Sequence, residues 1–210
     1  SIKRILLYLK NNNIKPIFTS SEYVYDGVKG NYLEKDKTNP ILLYGKQKLE
    51  IEDFLAKNSE EHIILRLGKV VGSTVGDGTL FSNWLKEINE KNEISCAYDQ
   101  IFSIIYLEDV VDSIIKLVKD NINGTFNLSC GIANSRLDLL NLLINKINIS
   151  IKKKVDIKIK PCSIDDFSLV EKYPKNVSIN SSKLSNKLGI NFNPPKNICQ
   201  NLIDSYYKIT

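Results

Sequence analysis

Three short apolar runs constrain this chain most: Lys15–Thr19 (KPIFT), His62–Leu67 (HIILRL) and Thr125–Ser129 (TFNLS). Each is too short for a helix and reads as a buried strand. Segments with helical periodicity separate them. One runs from Pro40 to about Lys57, with Asn39 expected as its N-cap and Pro40 as its first residue. Another is the amphipathic Leu107–Lys119 (LEDVVDSIIKLVK). Strands joined by helices of that length become parallel neighbours in one sheet, with the helices as crossovers. The expected class is α/β.

The remaining segments fit a smaller lobe beside that sheet. Ile2–Leu9 reads as a helix ended by the Asn11–Asn13 run, Leu80–Asn89 as a helix carrying the single Trp84, and Glu93–Tyr98 as a short strand. Ser135–Ile147 is a helix capped by Ser135 with Asp138 at its third position, and Lys154–Pro161 alternates as a half-exposed strand. Ser181–Leu188 and Pro195–Tyr207 close the chain as helices, while Asp26–Asn39 and Gly68–Gly78 read as loops. The net charge of +5 is spread among acids, and its one tight cluster, Lys152–Lys154, reads as a solvated strand edge without interleaved aromatics. Nucleic acid is therefore not an expected partner. No apolar run reaches the roughly 18 residues of a membrane span. Cys96, Cys130, Cys162 and Cys199 form no CxxC pair, so reduced cysteines in a cytoplasmic protein are expected and no metal site. The absence of methionine is expected of a processed chain or a piece of a longer one.

The chemistry concentrates in Tyr44 and Lys48. At i,i+4 on a helix, the phenol and the ammonium stand side by side. A free tyrosine holds its proton too tightly to exchange it readily near neutrality. A neighbouring cation is expected to lower that pKa and make the phenol a usable acid. Ser21 stands at the carboxyl end of the first strand, where open α/β sheets bind ligands, and can hold a substrate oxygen beside the phenol. His62 begins a buried strand and reads as structural.

The ordered segments resemble the dTDP-4-dehydrorhamnose reductases, extended members of the short-chain dehydrogenase/reductases. Ser20-Ser21-Glu22-Tyr23-Val24-Tyr25-Asp26-Gly27 is similar to their STDYVFDG, and Tyr44-Gly45-Lys46-Gln47-Lys48-Leu49 to their YGxSKL. Asp99-Gln100 with Tyr106–Val111, and Tyr173–Val177 with Ser182-Lys183-Leu184, extend the resemblance towards the end of the chain. It implies a partial Rossmann-like parallel sheet with a smaller α/β substrate-binding lobe. Residues 1–72 and 101–134 would belong to the dinucleotide-binding domain, and 73–100 and 135–210 to the lobe. It also implies an NADP- or NAD-dependent reductase of a nucleotide-linked 4-keto sugar in polysaccharide or deoxysugar biosynthesis. Tyr44 would donate the proton, Lys48 would bind the nicotinamide ribose and Ser21 would hold the carbonyl. Cofactor contacts are expected at Tyr44, Lys48 and Leu67, and substrate contacts at Ser21, Lys69 and Trp84. A homodimer is allowed. No GxxGxxG opens the chain, so the phosphate loop is expected upstream and weak dinucleotide binding is expected of these residues alone.

The resemblance departs at Arg66–Gly72, where Lys69 replaces an aromatic, and at Phe102–Ile105. The version found here, with Leu80, Phe81 and Trp84 following, resembles a related branch of sugar-nucleotide reductase-like proteins from polysaccharide loci. Lys69 reads either as a cation meeting an acidic sugar or diphosphate, or as a surface lysine. A non-catalytic binding or regulatory subunit of the same fold is the alternative to an enzyme.

Overall fold

The computed structural model describes residues 2–152 and 154–207. Along it run α1 (Ile2–Asn11), β1 (Ile17–Ser21), α2 (Leu43–Asn58), β2 (Ile63–Leu67), β3 (Lys69–Val71), α3 (Leu80–Glu90), β4 (Glu93–Ala97) and β5 (Ile101–Tyr106). There follow α4 (Leu107–Lys119), β6 (Gly124–Leu128), β7 (Ala133–Ser135), α5 (Arg136–Ile151), β8 (Lys158–Cys162), α6 (Ser182–Leu188) and α7 (Pro195–Tyr207).

The three apolar runs pair as the sequence requires. β1, β2 and β6 form one parallel sheet in that order, with Ser21 opposite Leu67 and Leu67 opposite Leu128. The register brings all three carboxyl ends to one edge, which positions the site. β3 and the second half of β5 pair in parallel, while the first half of β5 pairs antiparallel with β7. β4 and β8 pair in parallel as a separate ribbon.

Two apolar cores flank β5. Phe102, Ile104 and Tyr106 point into a core built with Phe81, Trp84 and Leu85 of α3, Leu139 and Leu143 of α5, and Leu202 of α7. Ile105 points the other way, among Leu65, Phe126, Val110, Leu117 and Leu184. Alternate residues of a strand face opposite sides, so one strand serves both cores.

Several expectations need correcting. α2 starts at Leu43, not at Pro40, because Asn39 is held in the preceding loop by its N–H to the Val24 carbonyl at 3.0 Å. The first N–H of α2 is satisfied instead by Glu171 Oε1, 2.9 Å from Leu43 N. The expected loop at 68–78 contains β3, and Ile101–Tyr106 is a strand that the sequence reading left unassigned. Of the lysine cluster, Lys153 lies outside the described residues, and Lys152 is the left-handed C-cap of α5 (φ 51°), so the cluster marks a helix end and not a strand edge. Ser135 caps α5 as expected, accepting from Asp138 N at 3.0 Å while Asp138 Oδ2 accepts from Ser135 N at 3.1 Å.

The 26–39 loop is ordered from beneath. Arg66 reaches across from β2 to Glu52 of α2, with Nη2 to Oε2 at 2.6 Å and Nε 3.1 Å from each carboxylate oxygen. Its Nη1 also donates to the Tyr25 hydroxyl at 2.8 Å and to the Glu34 carbonyl at 3.1 Å. Tyr25 and Tyr32 stack with centroids 4.3 Å apart, and buried Asn127 donates to the Tyr32 carbonyl at 2.8 Å. These contacts fix α2 against the sheet.

Candidate active site

β1 ends at Ser21, and the chain turns at once through a 3-10 turn, Glu22–Val24. Ser21 starts that turn, its hydroxyl accepting from Tyr23 N at 3.3 Å. α2 then crosses close above. A Cβ on Gly45 would stand 2.0 Å from the Tyr23 carbonyl oxygen, so only glycine allows this approach. The approach sets Tyr44 beside the turn, with the Tyr23 and Tyr44 rings edge-to-face at 6.3 Å between centroids.

Lys48 stands one turn further along α2. Its Nζ donates to the Thr19 carbonyl at 2.6 Å and lies 4.9 Å from the Phe18 ring centroid and 5.5 Å from that of Tyr44. Partial burial lowers the Lys48 pKa. The expected effect of Lys48 on Tyr44 is not what the structure shows. The Tyr44 pKa is raised, chiefly by burial and further by Glu22, against a lowering contribution from a hydrogen bond with Ser21. The ammonium is turned towards a backbone carbonyl, and the phenol keeps its proton at neutral pH.

Ser21, Tyr44 and Lys48 are thus brought together, and Leu67 lies beside Ser21 on the next strand. A cavity of about 570 Å³ opens on this side, lined among others by Phe18, Tyr44, Lys48 and Ile51. Lys69 and Trp84 lie elsewhere, on a second cavity of about 580 Å³ that Lys86, Lys91 and Arg136 also line. Trp84 is only 3% exposed and mainly a core residue, with the Arg136 guanidinium 5.3 Å from its ring centroid. Glu87 and Glu90 share that cavity, and Glu87 is paired with Lys91 at 2.8 Å, so the cations outnumber the acids.

Two residues escaped the sequence reading. Arg136 gave no signal, since only the fold brings the start of α5 to α3. Glu22 sits in a polar-looking turn but is 2% exposed, and burial drives its carboxyl pKa well up against the opposing charge of Lys69. Its place directly after the candidate Ser21 was the available clue. Among the described residues no cluster of three or more His, Cys, Asp or Glu is arranged to hold a metal, and no helix is long and apolar enough to cross a membrane.

A parallel sheet with crossover helices, ending in a serine and facing a Tyr-x-x-x-Lys helix, defines a protein of the short-chain dehydrogenase/reductase type. The profile of the RmlD substrate binding domain matches residues 3–208, and the chain belongs to that family. It is 32% identical over 103 residues to the spore coat polysaccharide biosynthesis protein SpsK of Bacillus subtilis (strain 168), covering 48% of this chain and 35% of that protein. It is 30% identical over 121 residues to a dTDP-4-dehydrorhamnose reductase of Sinorhizobium fredii (strain NBRC 101917 / NGR234), covering 54% and 40%. Over 56 residues it is 43% identical to the methionine adenosyltransferase 2 subunit beta of Bos taurus, covering 27% and 17%. The matches therefore span two fifths or less of these relatives' own lengths. Among solved structures, the dTDP-4-dehydrorhamnose reductase of Bacillus anthracis str. Ames in complex with NADP superposes with a TM-score of 0.83 at 21% identity, covering 95% of this chain and 69% of that one. That likeness shows the α/β fold.

Proposed function

We propose that this chain carries the catalytic and substrate-binding part of an NADP- or NAD-dependent reductase of a nucleotide-linked 4-keto sugar, working in the cytoplasm in polysaccharide or deoxysugar biosynthesis. The observation that carries the reading is the meeting of Ser21, Lys48 and a protonated Tyr44 at the carboxyl edge of a parallel sheet. Residues 1–72 and 101–134 then belong to the cofactor side and 73–100 with 135–210 to the substrate side. A homodimer fits the reading.

The residues present suit a nicotinamide ribose. Lys48 offers a partly desolvated ammonium beside a cavity whose wall includes Phe18 and Ile51, and Leu67 stands beside Ser21 on β2. When bound in its reduced form, the nicotinamide would supply the hydride for the keto carbon. Ser21 donates a hydrogen bond to the keto oxygen and fixes its direction. Tyr44 gives that oxygen its proton, which a raised pKa keeps available, and Lys48 steadies the phenolate left behind. The cationic cavity around Lys69, Lys86, Lys91 and Arg136 suits the anionic diphosphate of the substrate.

The test, made on a protein in which these residues follow a dinucleotide phosphate loop, is reduction of a dTDP-linked 4-keto-6-deoxysugar, followed by loss of NADPH absorbance. Tyr44→Phe is expected to abolish turnover while the affinity for NADPH holds within a few-fold, since only a hydroxyl is deleted. Ordinary activity in Tyr44→Phe refutes the mechanism. The likeness to the methionine adenosyltransferase beta subunit favours a second reading, a binding subunit without turnover. Nucleotide binding with no turnover of any keto sugar would select it.

A further inference from the structure

The helix that carries Tyr44 and Lys48 begins without a cap of its own. Leu42, its N-cap, is an extended residue whose side chain makes no capping bond, and no acid lies in the first turn. The first N–H groups of a helix have no partner within it and carry partial positive charge. Here the first of them, the Leu43 N–H, donates to Glu171 Oε1 at 2.9 Å, across 128 residues of chain. Tyr44 is the next residue of the helix.

The segment that bears Glu171, between β8 and α6, is itself anchored just beyond that residue. The Tyr173 ring stands edge-to-face with Tyr23 at 6.0 Å between centroids, and a Cβ on Gly27 would come within 2.4 Å of Pro174 Cβ. Lys175 pairs with Asp99 at 2.8 Å and Asp165 at 2.9 Å, and its carbonyl accepts from Ile101 N at 2.6 Å. Glu171 is therefore presented from a fixed base to the start of α2. Lys48 lies a turn further in, and Glu52, which Arg66 holds, a turn beyond that. That part of the helix is secured without Glu171.

We propose that Glu171 is a positioning residue: by holding the first N–H of α2 it sets the Tyr44 phenol where its proton is delivered. The inference rests on the keto-sugar reading and adds to it a residue that acts through Tyr44 without touching the substrate. Helices fray from their ends, so the second residue of α2 is displaced before the sixth, Lys48. Proton delivery depends on the phenol standing within hydrogen-bond reach of the keto oxygen, and a small displacement there costs rate. Contacts made by Lys48 and by the Lys69–Arg136 cavity do not depend on the first turn, so ground-state binding survives the same displacement.

The test is steady-state kinetics of the protein that carries its dinucleotide phosphate loop, with a dTDP-linked 4-keto-6-deoxysugar and NADPH. Glu171→Ala is expected to lower kcat about ten-fold while KM for the sugar nucleotide and the affinity for NADPH stay within about two-fold. Glu171→Gln keeps an acceptor oxygen and should hold kcat within about three-fold of wild type. Leu43 is 58% exposed, so Leu43→Asp places an acid in the first turn without opening the core. Combined with Glu171→Ala, it should recover much of the lost kcat, because it restores negative charge at the helix start. An unchanged kcat in Glu171→Ala would overturn the positioning role, as would a rise in KM alone, which marks a substrate contact. A loss of kcat that neither Glu171→Gln nor the added Leu43→Asp recovers would overturn it too, since Glu171 would then act by another route than the helix start. Each of these outcomes leaves the proposed function standing. A wild-type protein that reduces no keto sugar would overturn the proposed function and this role together.

Discussion

At the Tyr44 phenol, partial burial and the Glu22 carboxyl outweigh the Ser21 hydroxyl, so the side chain holds its proton at neutral pH. Part of this was legible in the sequence. The i,i+4 spacing does bring Lys48 to 5.5 Å from the Tyr44 ring centroid. The electrostatic consequence was not legible, because spacing along a helix says nothing about what else an ammonium finds, and Lys48 finds the Thr19 carbonyl. Glu22 carries a consequence for stability. Its folded pKa lies above its unfolded value, so the folded chain holds this proton more tightly than the unfolded one. The stability gained from that proton is fully present below the unfolded value near pH 4.5. It drains away as pH rises towards the folded value. Glu22→Gln removes the titration, so the thermal midpoint of wild type should fall relative to the variant as pH goes from about 4 to 7. Parallel midpoint curves over that range would mean that the carboxyl is already ionised in the folded protein.

The elements holding the site show where sequence patterns stop. β1, β2 and β6 were legible as short apolar runs between helical segments, but only β2 is buried along nearly its whole length, as a central parallel strand should be. Ile17 and Thr19 of β1, expected to be buried, are exposed because β1 pairs on one side only. β3 was not, since three residues beginning with an exposed lysine carry no periodicity until β5 lies beside them. The start of α2 was misplaced because its cap, Glu171, lies 128 residues away. The pair Arg66–Glu52, which ties α2 to β2, was equally hidden. Both side chains are nearly buried, at 8% and 4% exposure, so losing one partner leaves an uncompensated charge inside. Glu52→Ala should therefore cost about 3–5 kcal/mol in urea unfolding. The double change Glu52→Leu with Arg66→Met should recover much of it, because no charge is then stranded. A double variant as unstable as the sum of both single ones would show that the pair is irreplaceable. A milder lock joins the β4–β5 turn to the segment after β8. Burial pushes Asp99 up, but Lys175 at 2.8 Å, the Ser163 hydroxyl at 2.7 Å and Ile164 N at 2.7 Å hold it down to about 2. Its contribution is complete above the ordinary aspartate value near 4 and is lost as pH falls towards 2. Lys175 is half exposed, which screens the interaction, so Asp99→Ala should cost only about 1–2 kcal/mol at pH 7. That deficit should vanish by about pH 2. A deficit that persists in acid would assign the loss to packing.

Across the whole molecule, the two cores meet in one strand, and β5 decides whether they melt together. The core around α3, α5 and α7 contains the single Trp84 with Phe102, Ile104 and Tyr106 of β5. The core under the parallel sheet contains Ile105 with Leu65, Phe126 and Leu117. Neither core can lose β5 without exposing apolar side chains of the other, since successive residues of the strand serve opposite sides. Cooperativity is therefore expected between regions that sequence patterns alone divide. Ile105→Ala offers the sharpest test because Ile105 is fully buried and belongs to the core without the tryptophan. Truncating it removes three carbons from a close-packed interior and should cost about 2–5 kcal/mol. If β5 couples the cores, Trp84 fluorescence and far-ultraviolet circular dichroism should move to lower urea together, with coincident midpoints in wild type and variant. If the cores fold independently, circular dichroism should split into two steps while the Trp84 midpoint stays at its wild-type position. That second outcome would make β5 a contact between two separately stable units, and the alternation of its side chains would carry no thermodynamic linkage.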